Sequence, residues 1–279
     1  MSARKYDARL VIGLTLFGFM VAVAVFAPVI ARNDPLAIDL GNQFVPPSAD
    51  HWFGTAKLVF DIFSRVVFAA RHDLLIAVSA VALSIVIGHP IGLLIGYSGG
   101  WGDSVTMRCL DVIQAFPALV LAIGVLAALG QGVRNLILVI GIVGVPTFVR
   151  LVRAEVRSLR EHAYVEAGRA VGNSRAKILL RYIAPGTVGT VGTVGTQAAV
   201  SCGWAIMLAA ALGFIGLGVP LPEPEWGAMI AEGLPEMRRG GSWWIPVFPG
   251  IAIAVTVFSL SLIGESIADL VEPTRRKSR

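Results

Sequence analysis

Few side chains in this chain have the types and spacing that catalysis requires. Ser84 and His89 form the nearest pairing of a nucleophile with a base, and no sharp nucleophile-bearing turn frames them. Cys109 and Cys202 lie far apart in sequence, and neither neighbours a second Cys or a His at metal-ligand spacing. The sequence therefore predicts no catalytic residue, no metal site and no disulfide framework.

Polar residues are concentrated instead in residues 150–186, a basic segment between long apolar runs. Its arginines recur at three- and four-residue spacing, which places them on one face of a helix. Anchoring of lipid phosphates is the simplest interpretation of such a face. The arginines are Arg150, Arg153, Arg157 and Arg160.

Helix signals divide the rest of this segment in two. A short helix is predicted over residues 161–171 and ends at Gly172, which can take the left-handed conformation of a helix stop. Asn173 or Ser174 can cap a second helix, and Pro185 is expected to break that helix and open the next span. The segment is then either a plain connecting loop or a compact knob whose small residues let another protein approach.

The composition places this segment on a membrane protein. Of the 279 residues, 56% are hydrophobic and 15% charged, whereas about a quarter of the residues of a soluble domain are charged. Six apolar runs are interpreted as membrane spans, so the predicted fold is an all-α integral membrane protein. The first run also has the layout of a signal peptide, but its length and the spans that follow favour an uncleaved span. The runs are residues 10–31, 74–97, 112–130, 136–149, 187–212 and 241–264.

Charge asymmetry predicts the orientation. Six spans place both termini on one side, and sixteen of the 23 Lys and Arg residues fall on the side that carries residues 150–186. The positive-inside rule makes this side the cytoplasm, and the same asymmetry explains the net charge of +5 without a nucleic-acid partner. Residues 1–73 then form an N-terminal span with an extracytoplasmic segment, 74–272 the transmembrane domain, and 273–279 a cytoplasmic tail. Residues 213–242, rich in Pro and Trp, form an extracytoplasmic cap open to a ligand or partner.

Residues 166–185 are similar to the EAA loop of ABC-importer permeases. The pattern of that loop is EAA, three residues, Gly, nine residues and then I-x-L-P. The matching positions are Glu166, Ala167, Gly172 and Pro185. The sequence departs from the pattern at Gly168, Tyr182 and Ala184.

A second segment narrows the resemblance. Residues 216–229 are similar to the GLG-x-P-x-P-x-P-x-WG-x-M segment of the dipeptide, oligopeptide and nickel permeases. Together the matches cover most of residues 51–276, with a departure around 56–61. Shorter matches to the C-type subunit of that family lie at residues 51–55, 63–65, 248–250 and 264–273.

The resemblance implies a type I ABC-importer permease, a non-catalytic subunit with six transmembrane helices and a cytoplasmic coupling helix between spans four and five. It further implies a second related permease as heterodimer partner, two ATPase subunits that carry ATP and Mg, and an extracytoplasmic solute-binding protein. This chain would bind no cofactor itself and would lie in a bacterial or archaeal cytoplasmic membrane, in contact with lipid. The implied ATPase-coupling residues are Glu166, Ala167, Gly168, Gly172 and Pro185. The implied outer-cap or gate residues are Gly216, Gly218, Pro222, Trp226 and Gly227.

Polar residues within the spans are candidates for a translocation path. Gln114 and Pro117 lie in the third apolar run and His89 in the second. His89 has a structural alternative, because it can satisfy the carbonyl that Pro90 frees or a neighbouring helix. Gly and Thr repeat every three residues over 186–196, a pattern that suits either packing against the sister permease or lining a path.

Peptides are the expected substrate, because the spans hold no conspicuous His, Cys and Asp cluster. Nickel chelates, glutathione-like compounds and other small solutes remain alternatives. An ion-coupled secondary transporter is a distant one, since coupling usually needs carboxylates at mid-membrane and the apolar runs contain none. An intramembrane hydrolase would have to pair Ser84 with His89.

Overall fold

The computed structural model describes residues 8–37, 43–57, 60–189 and 191–271. Apart from an isolated antiparallel bridge between Thr55 and Asp61, the regular structure of these residues is helical. The predicted cytoplasmic tail, the first basic residues and position 190 of the Gly/Thr repeat lie outside the described residues. The helices are α1 (Ala8–Val25), α2 (Ala27–Ile30), α3 (Ile62–Ser98), α4 (Gly100–Ala115), α5 (Ala118–Leu129), α6 (Val133–Leu159), α7 (Ala163–Ala170), α8 (Arg175–Ile178), α9 (Ala184–Gly189), α10 (Val191–Phe214), α11 (Trp226–Gly240) and α12 (Trp244–Val271), with a π-helical turn, Leu179–Ile183, between α8 and α9.

Five of these helices are long and apolar enough to cross a membrane: α1, α3, α6, α10 and α12. The α4 and α5 helices meet at a bend of 86° and add a sixth, broken span when they are taken together. The prediction of an all-α membrane protein with six spans is confirmed in this form.

The third span is not the single helix predicted over residues 112–130. Pro117 has no N–H, and it holds Phe116 in an extended conformation with φ −88° and ψ 138°. The α5 helix has 12 residues and is therefore about 18 Å long, which is less than the roughly 30 Å of a hydrocarbon core. The apolar run is continuous in sequence, but the proline divides it into two helices.

Two other spans are longer than their apolar runs. The α3 helix begins at Ile62 rather than at residue 74, because the Asp61 carboxylate caps it by accepting hydrogen bonds from the amide and hydroxyl of Ser64, at 2.9 and 2.7 Å. The domain boundary predicted at residue 73 therefore falls inside a helix. The α6 helix continues to Leu159, since its arginines find partners on neighbouring helices.

The α3 and α6 helices form the most extensive helix pair and run in the same direction. Gly88, Gly92 and Gly96 lie one turn apart on α3, and a Cβ atom at any of them would come within 2.8–2.9 Å of α6. Small residues at this spacing let two helix backbones approach closely. Two parallel neighbours need a return crossing between them, which α4 and α5 supply.

The hydrophobic core lies between α3, α6, α10 and α12, with α1 packed against α12. The two ends of the bundle differ. One end carries the loop that contains α7, called the EAA loop (residues 150–186) below. The other carries α11 and the segment before it, called the cap (residues 213–242).

Candidate functional site

The α7 helix occupies the place of the predicted coupling helix. It ends before Gly172, whose φ of +80° is the left-handed helix stop that the sequence predicts. Ser174 caps α8 by accepting a hydrogen bond from the Lys177 amide at 3.3 Å. The predicted order of helix, glycine and second helix is confirmed.

The two faces of α7 differ in the size of their side chains. Val165 and Gly168 are buried against the bundle. Glu166, Ala167 and Ala170 are exposed on the outer side. This outer face therefore combines small side chains, which allow close approach, with a single carboxylate at its edge.

Gly168 belongs to the buried face, so the prediction that it offers a small exposed surface is wrong. A Cβ atom at this position would lie 3.1 Å from the Tyr182 ring. The Asn173 side-chain amide donates to the Gly168 carbonyl at 2.9 Å and to the Tyr182 hydroxyl at 3.1 Å. Two of the departures from the EAA pattern, Gly168 and Tyr182, are therefore in contact with each other.

This contact predicts coupled mutational effects. Gly168→Ala is expected to change the stability of α7 little, because the cost of moving the Tyr182 ring and the helix propensity that alanine gains over glycine are each about 1 kcal/mol and oppose each other. Tyr182→Ile is expected to destabilise α7 by about 1 kcal/mol, because the Asn173 amide loses the hydroxyl that accepts its hydrogen bond. Gly168→Ala should therefore stabilise α7 more in the Tyr182→Ile background than in the wild type, and hydrogen exchange of the α7 amides measures all three variants. Strictly additive effects would show that the two positions are independent.

Pro185 does not break the helix, contrary to the sequence prediction. The chain passes from α8 through the π-helical turn into α9, and the Ala184 amide donates to the carbonyl of Leu179, five residues earlier. The wider turn relieves the clash between a proline ring and the preceding turn. Pro185 itself is exposed at the second position of α9.

Arginines at the end of α6 hold α4 in place. Arg153 and Arg157 both donate to the Asp103 carboxylate on α4, at N···O distances of 2.5–2.7 Å. Arg150 donates to Asp111, which lies eight residues further along α4, at 2.6 Å. Bidentate guanidinium–carboxylate contacts fix both distance and orientation. These three ion pairs, with four hydrogen bonds between them, hold α4 against the helix that leads into the EAA loop.

Arg160 completes the series by capping α3. Its Nη1 donates to the carbonyls of Gly96 and Tyr97 at 3.3 and 3.0 Å, where the last carbonyls of a helix otherwise lack partners. Protein groups of the described structure are therefore partners of all four predicted anchoring arginines, which are carboxylates for Arg150, Arg153 and Arg157 and backbone carbonyls for Arg160.

A cavity of about 560 Å³ lies between α3, α4, α6 and α10. Gln114 and Pro117, two of the three path candidates, line it at the bend between α4 and α5. Every polar side chain in its lining is neutral. The polar side chains that sequence reasoning missed here are Ser84, Thr147, Gln197, Ser201 and Trp204.

His89, the third path candidate, does not line this cavity. Its Nε2 lies 3.2 Å from the Thr187 hydroxyl of α9, so the alternative of a bond to a neighbouring helix is correct. The Ser84 hydroxyl donates to the Gly141 carbonyl at 2.7 Å. Ser84 and His89 are therefore not paired, and the hydrolase alternative has no site.

The start of the Gly/Thr repeat packs within the chain. Thr187 is buried and bonds His89, and a Cβ atom at Gly186 would lie 2.9 Å from Leu159. At Gly195 a Cβ atom would meet no neighbour within 4 Å among the described residues. The repeat thus serves internal packing at its first turn.

The cap is a packed unit around Trp226. The sequence predicts a Trp-rich cap open to a ligand or partner, but the Trp226 side chain is fully buried and offers no such surface. Its indole N–H donates to the Val66 carbonyl at 3.0 Å, and its backbone amide donates to the Asp73 carboxylate at 3.1 Å. Both partners lie in the N-terminal third of α3, more than 150 residues earlier, so no local pattern reveals them.

The other predicted gate residues divide into two groups. Gly218 and Gly227 are buried, and a Cβ atom at Gly227 would overlap the Ala210 backbone. Gly216 and Pro222 are exposed. Close packing explains the buried pair, and only the exposed pair offers a surface to a ligand or partner.

The sequence analysis assigned no role to Glu225 of the cap. Its position directly before Trp226 and Gly227, inside the segment that is similar to the permease motif, is the signal that could have identified it. It is fully buried and caps α11 by accepting from the Gly227 amide at 3.3 Å. A Cβ atom at Gly213 or Gly218 would overlap its carboxylate, so these glycines make room for it. Burial raises the pKa of Glu225, and the nearby Asp73 carboxylate raises this pKa further.

This shift predicts a pH dependence of stability. Because the pKa is higher in the folded state than in the unfolded state, stability falls as pH rises from the unfolded value of Glu toward the folded one. Glu225→Gln is expected to raise the apparent melting temperature of the detergent-solubilised protein at pH 8 by roughly a few degrees, with no gain at pH 4. The control is Glu223→Gln, at a side chain that is 49% exposed. Equal gains at both pH values would contradict the assignment to Glu225.

The fold and the site define a multi-pass membrane transport subunit, with a knob at one end and a neutral cavity within its bundle. Residues 88–277 match the family described as binding-protein-dependent transport system inner membrane component. Residues 9–47 match the N-terminal transmembrane domain of oligopeptide transport permease C. The chain belongs to this family of inner-membrane ABC-importer permeases, which are non-catalytic subunits.

Three permeases illustrate the relationship. The dipeptide transport system permease protein DppC of Alkalihalophilus pseudofirmus is 36% identical, over 96% of this chain and 87% of its own length. The probable D,D-dipeptide permease DdpC of Escherichia coli K12 is 39% identical, over 91% and 84%. The glutathione permease GsiD of Escherichia coli is 41% identical, over 91% and 82%.

The fold is shared with a type I importer of known structure. An inward-facing conformation of the MetNI methionine ABC transporter superposes with a TM-score of 0.57 at 17% identity, covering 74% of this chain and 96% of that chain. The type I permease fold expected from the sequence is thereby confirmed.

Proposed function

We propose that this chain forms half of the translocation path of a peptide importer. The observation that carries the proposal is the neutral polar lining of the cavity between α3, α4, α6 and α10. Amide and hydroxyl side chains such as Gln114, Gln197 and Ser201 both donate and accept hydrogen bonds, as peptide groups do. The dipeptide and glutathione permeases named above support the same class of solute.

The EAA loop couples this chain to the ATPase in the proposed complex. The exposed face of α7, with Glu166, Ala167 and Ala170, suits a cleft on an ATPase subunit because small side chains permit close backbone approach. Gly172 and Pro185 lie outside that face, and they determine the course of the chain after α7 and into α9. Two ATPase subunits, which carry ATP and Mg, would bind this chain and a second related permease, and their approach would rock the two loops and switch the path between its two openings.

The orientation follows from the charges. Residues 150–186 carry eight Lys and Arg residues, so the positive-inside rule favours a cytoplasmic EAA loop and cytoplasmic termini. The cap would then face an extracytoplasmic solute-binding protein. Of the predicted cap residues, Gly216 and Pro222 are exposed, and these two would contact the solute-binding protein.

The test is uptake by the reconstituted complex. Proteoliposomes with this chain, its partner permease, the ATPases and the solute-binding protein are expected to accumulate a labelled dipeptide only when ATP and binding protein are both present. Unlabelled dipeptide should compete, whereas nickel ions should not. ATP-dependent nickel uptake that dipeptides do not inhibit would overturn the peptide assignment.

A further inference from the structure

A second cavity, distinct from the translocation cavity, lies between the end of α3 and the EAA loop. Its volume is about 630 Å³. Arg160, Arg169 and Arg175 all line it, and the described residues that form its walls include no acid. A concave site of this size with three cationic side chains favours an anion.

Arg160 is fixed at the wall of this cavity. Both of its hydrogen bonds, to the carbonyls of Gly96 and Tyr97, use Nη1, and its guanidinium lies 5.8 Å from the centre of the Tyr97 ring. A guanidinium has five N–H donors, so these contacts orient the group and leave other donors for a ligand. One cation of the site is thus held in position before any ligand arrives.

The charge of this cavity is not neutralised within the described chain. Asp103 and Asp111 form ion pairs with Arg150, Arg153 and Arg157, which lie on the side of α6 that faces α4. Among the described residues, no carboxylate forms an ion pair with any of the three cavity arginines, which are Arg160, Arg169 and Arg175. These three therefore retain a net positive charge for an external anion.

The cavity also has an apolar side. Leu94 of α3 lines it and is 59% exposed, and the buried Ile178 and Leu179 lie across from it in the EAA loop. Because α3 is long and apolar enough to cross a membrane, an exposed leucine near its end is placed to accept a lipid acyl chain. A ligand that satisfies both sides must combine an anionic group with a hydrocarbon chain.

We propose that this cavity binds the phosphate of an anionic phospholipid from the leaflet at the EAA-loop end, with an acyl chain along Leu94. The phosphate accepts hydrogen bonds from Arg160, Arg169 and Arg175. One lipid then bridges the end of α3 and the EAA loop, since Arg160 is bound to α3 while Arg169 and Arg175 belong to α7 and α8. This site goes beyond the transport of peptides and does not depend on the identity of the transported solute.

Native mass spectrometry of the full chain, purified with its accompanying subunits from nanodiscs, tests the proposal. Nanodiscs of phosphatidylglycerol and phosphatidylcholine in equal amounts are expected to leave phosphatidylglycerol bound preferentially. Arg169→Gln with Arg175→Gln should reduce the retained phosphatidylglycerol about tenfold or more, because each basic residue near a lipid surface contributes on the order of 1 kcal/mol. The matched control, Lys177→Gln with Arg181→Gln, removes the same charge from exposed positions of the same loop outside the cavity and should retain it.

Three outcomes would overturn the proposal. In the first, the wild-type protein retains both lipids equally, which needs no variant and so stands even if a variant misfolds. In the second, inorganic phosphate at millimolar concentration displaces the lipid completely, which identifies a free-phosphate site. In the third, the Arg169 and Arg175 double variant loses the ATPase but keeps its lipid, which identifies a protein carboxylate as the occupant.

Discussion

Glu166→Lys is expected to abolish both ATPase co-purification and peptide uptake while membrane insertion stays intact. Glu166 lies on the exposed face of α7, so its replacement leaves the helix packed through Val165 and Gly168. Reversing a charge that becomes buried on docking costs about 2–5 kcal/mol, which corresponds to a loss of affinity of roughly 30-fold or more. Affinity purification of the complex and an uptake assay on the same cells measure both effects.

Glu161→Lys is the matched control for this prediction. Glu161 is exposed in the turn before α7 and undergoes the same change of charge outside the proposed docking face. Gly172→Trp provides a second route to the same loss, because a non-glycine residue at φ +80° is strained by about 1–2 kcal/mol and distorts the end of α7. Normal uptake by both Glu166→Lys and Gly172→Trp would show that α7 is not the coupling element.

Thr147→Trp is expected to reduce uptake to the background of cells without the permease, while ATPase association is retained. Thr147 lines the translocation cavity from α6, and an indole ring there occupies space that a peptide must cross. Uptake and co-purification therefore separate, in contrast to the Glu166 variant, which loses both.

The control for the cavity variant lies on the same helix. Ile142 of α6 is 49% exposed on the outside of the bundle, so Ile142→Trp adds a similar side chain away from the cavity. It is expected to transport normally. Uptake by Thr147→Trp at the wild-type rate would show that solute passes elsewhere.

The sequence predicted the helices where local signals decide the structure. Gly172 and Ser174 end and begin helices as expected, because a positive φ and a side-chain cap are properties of single residues. The apolar runs located the spans because hydrophobicity is also a property of the residues themselves. The break at Pro117 was missed, since a hydrophobicity count does not register a proline inside an apolar run.

Distant contacts limited the prediction of the site. The arginines of α6 looked like lipid anchors because Asp103 and Asp111 precede them by some 40 to 50 residues. Trp226 was predicted to belong to an open cap because its partners, Val66 and Asp73, lie far away in sequence in the N-terminal third of α3. Gly168 looked like part of a docking surface until Tyr182 was seen against it. In each case a polar or small residue was assigned to an external partner, and the folded chain supplies an internal one.

The glycine contact between α3 and α6 also constrains how the permease can move. Gly88, Gly92 and Gly96 bring one backbone directly against the other, so no layer of flexible side chains exists in which the two helices could slide. We therefore expect α3 and α6 to travel together as a rigid lever. This lever joins the buried Asp73 and Trp226 at one end of the bundle to the EAA loop at the other. We expect a displacement imposed on α7 to reach the cap end of the bundle through this helix pair.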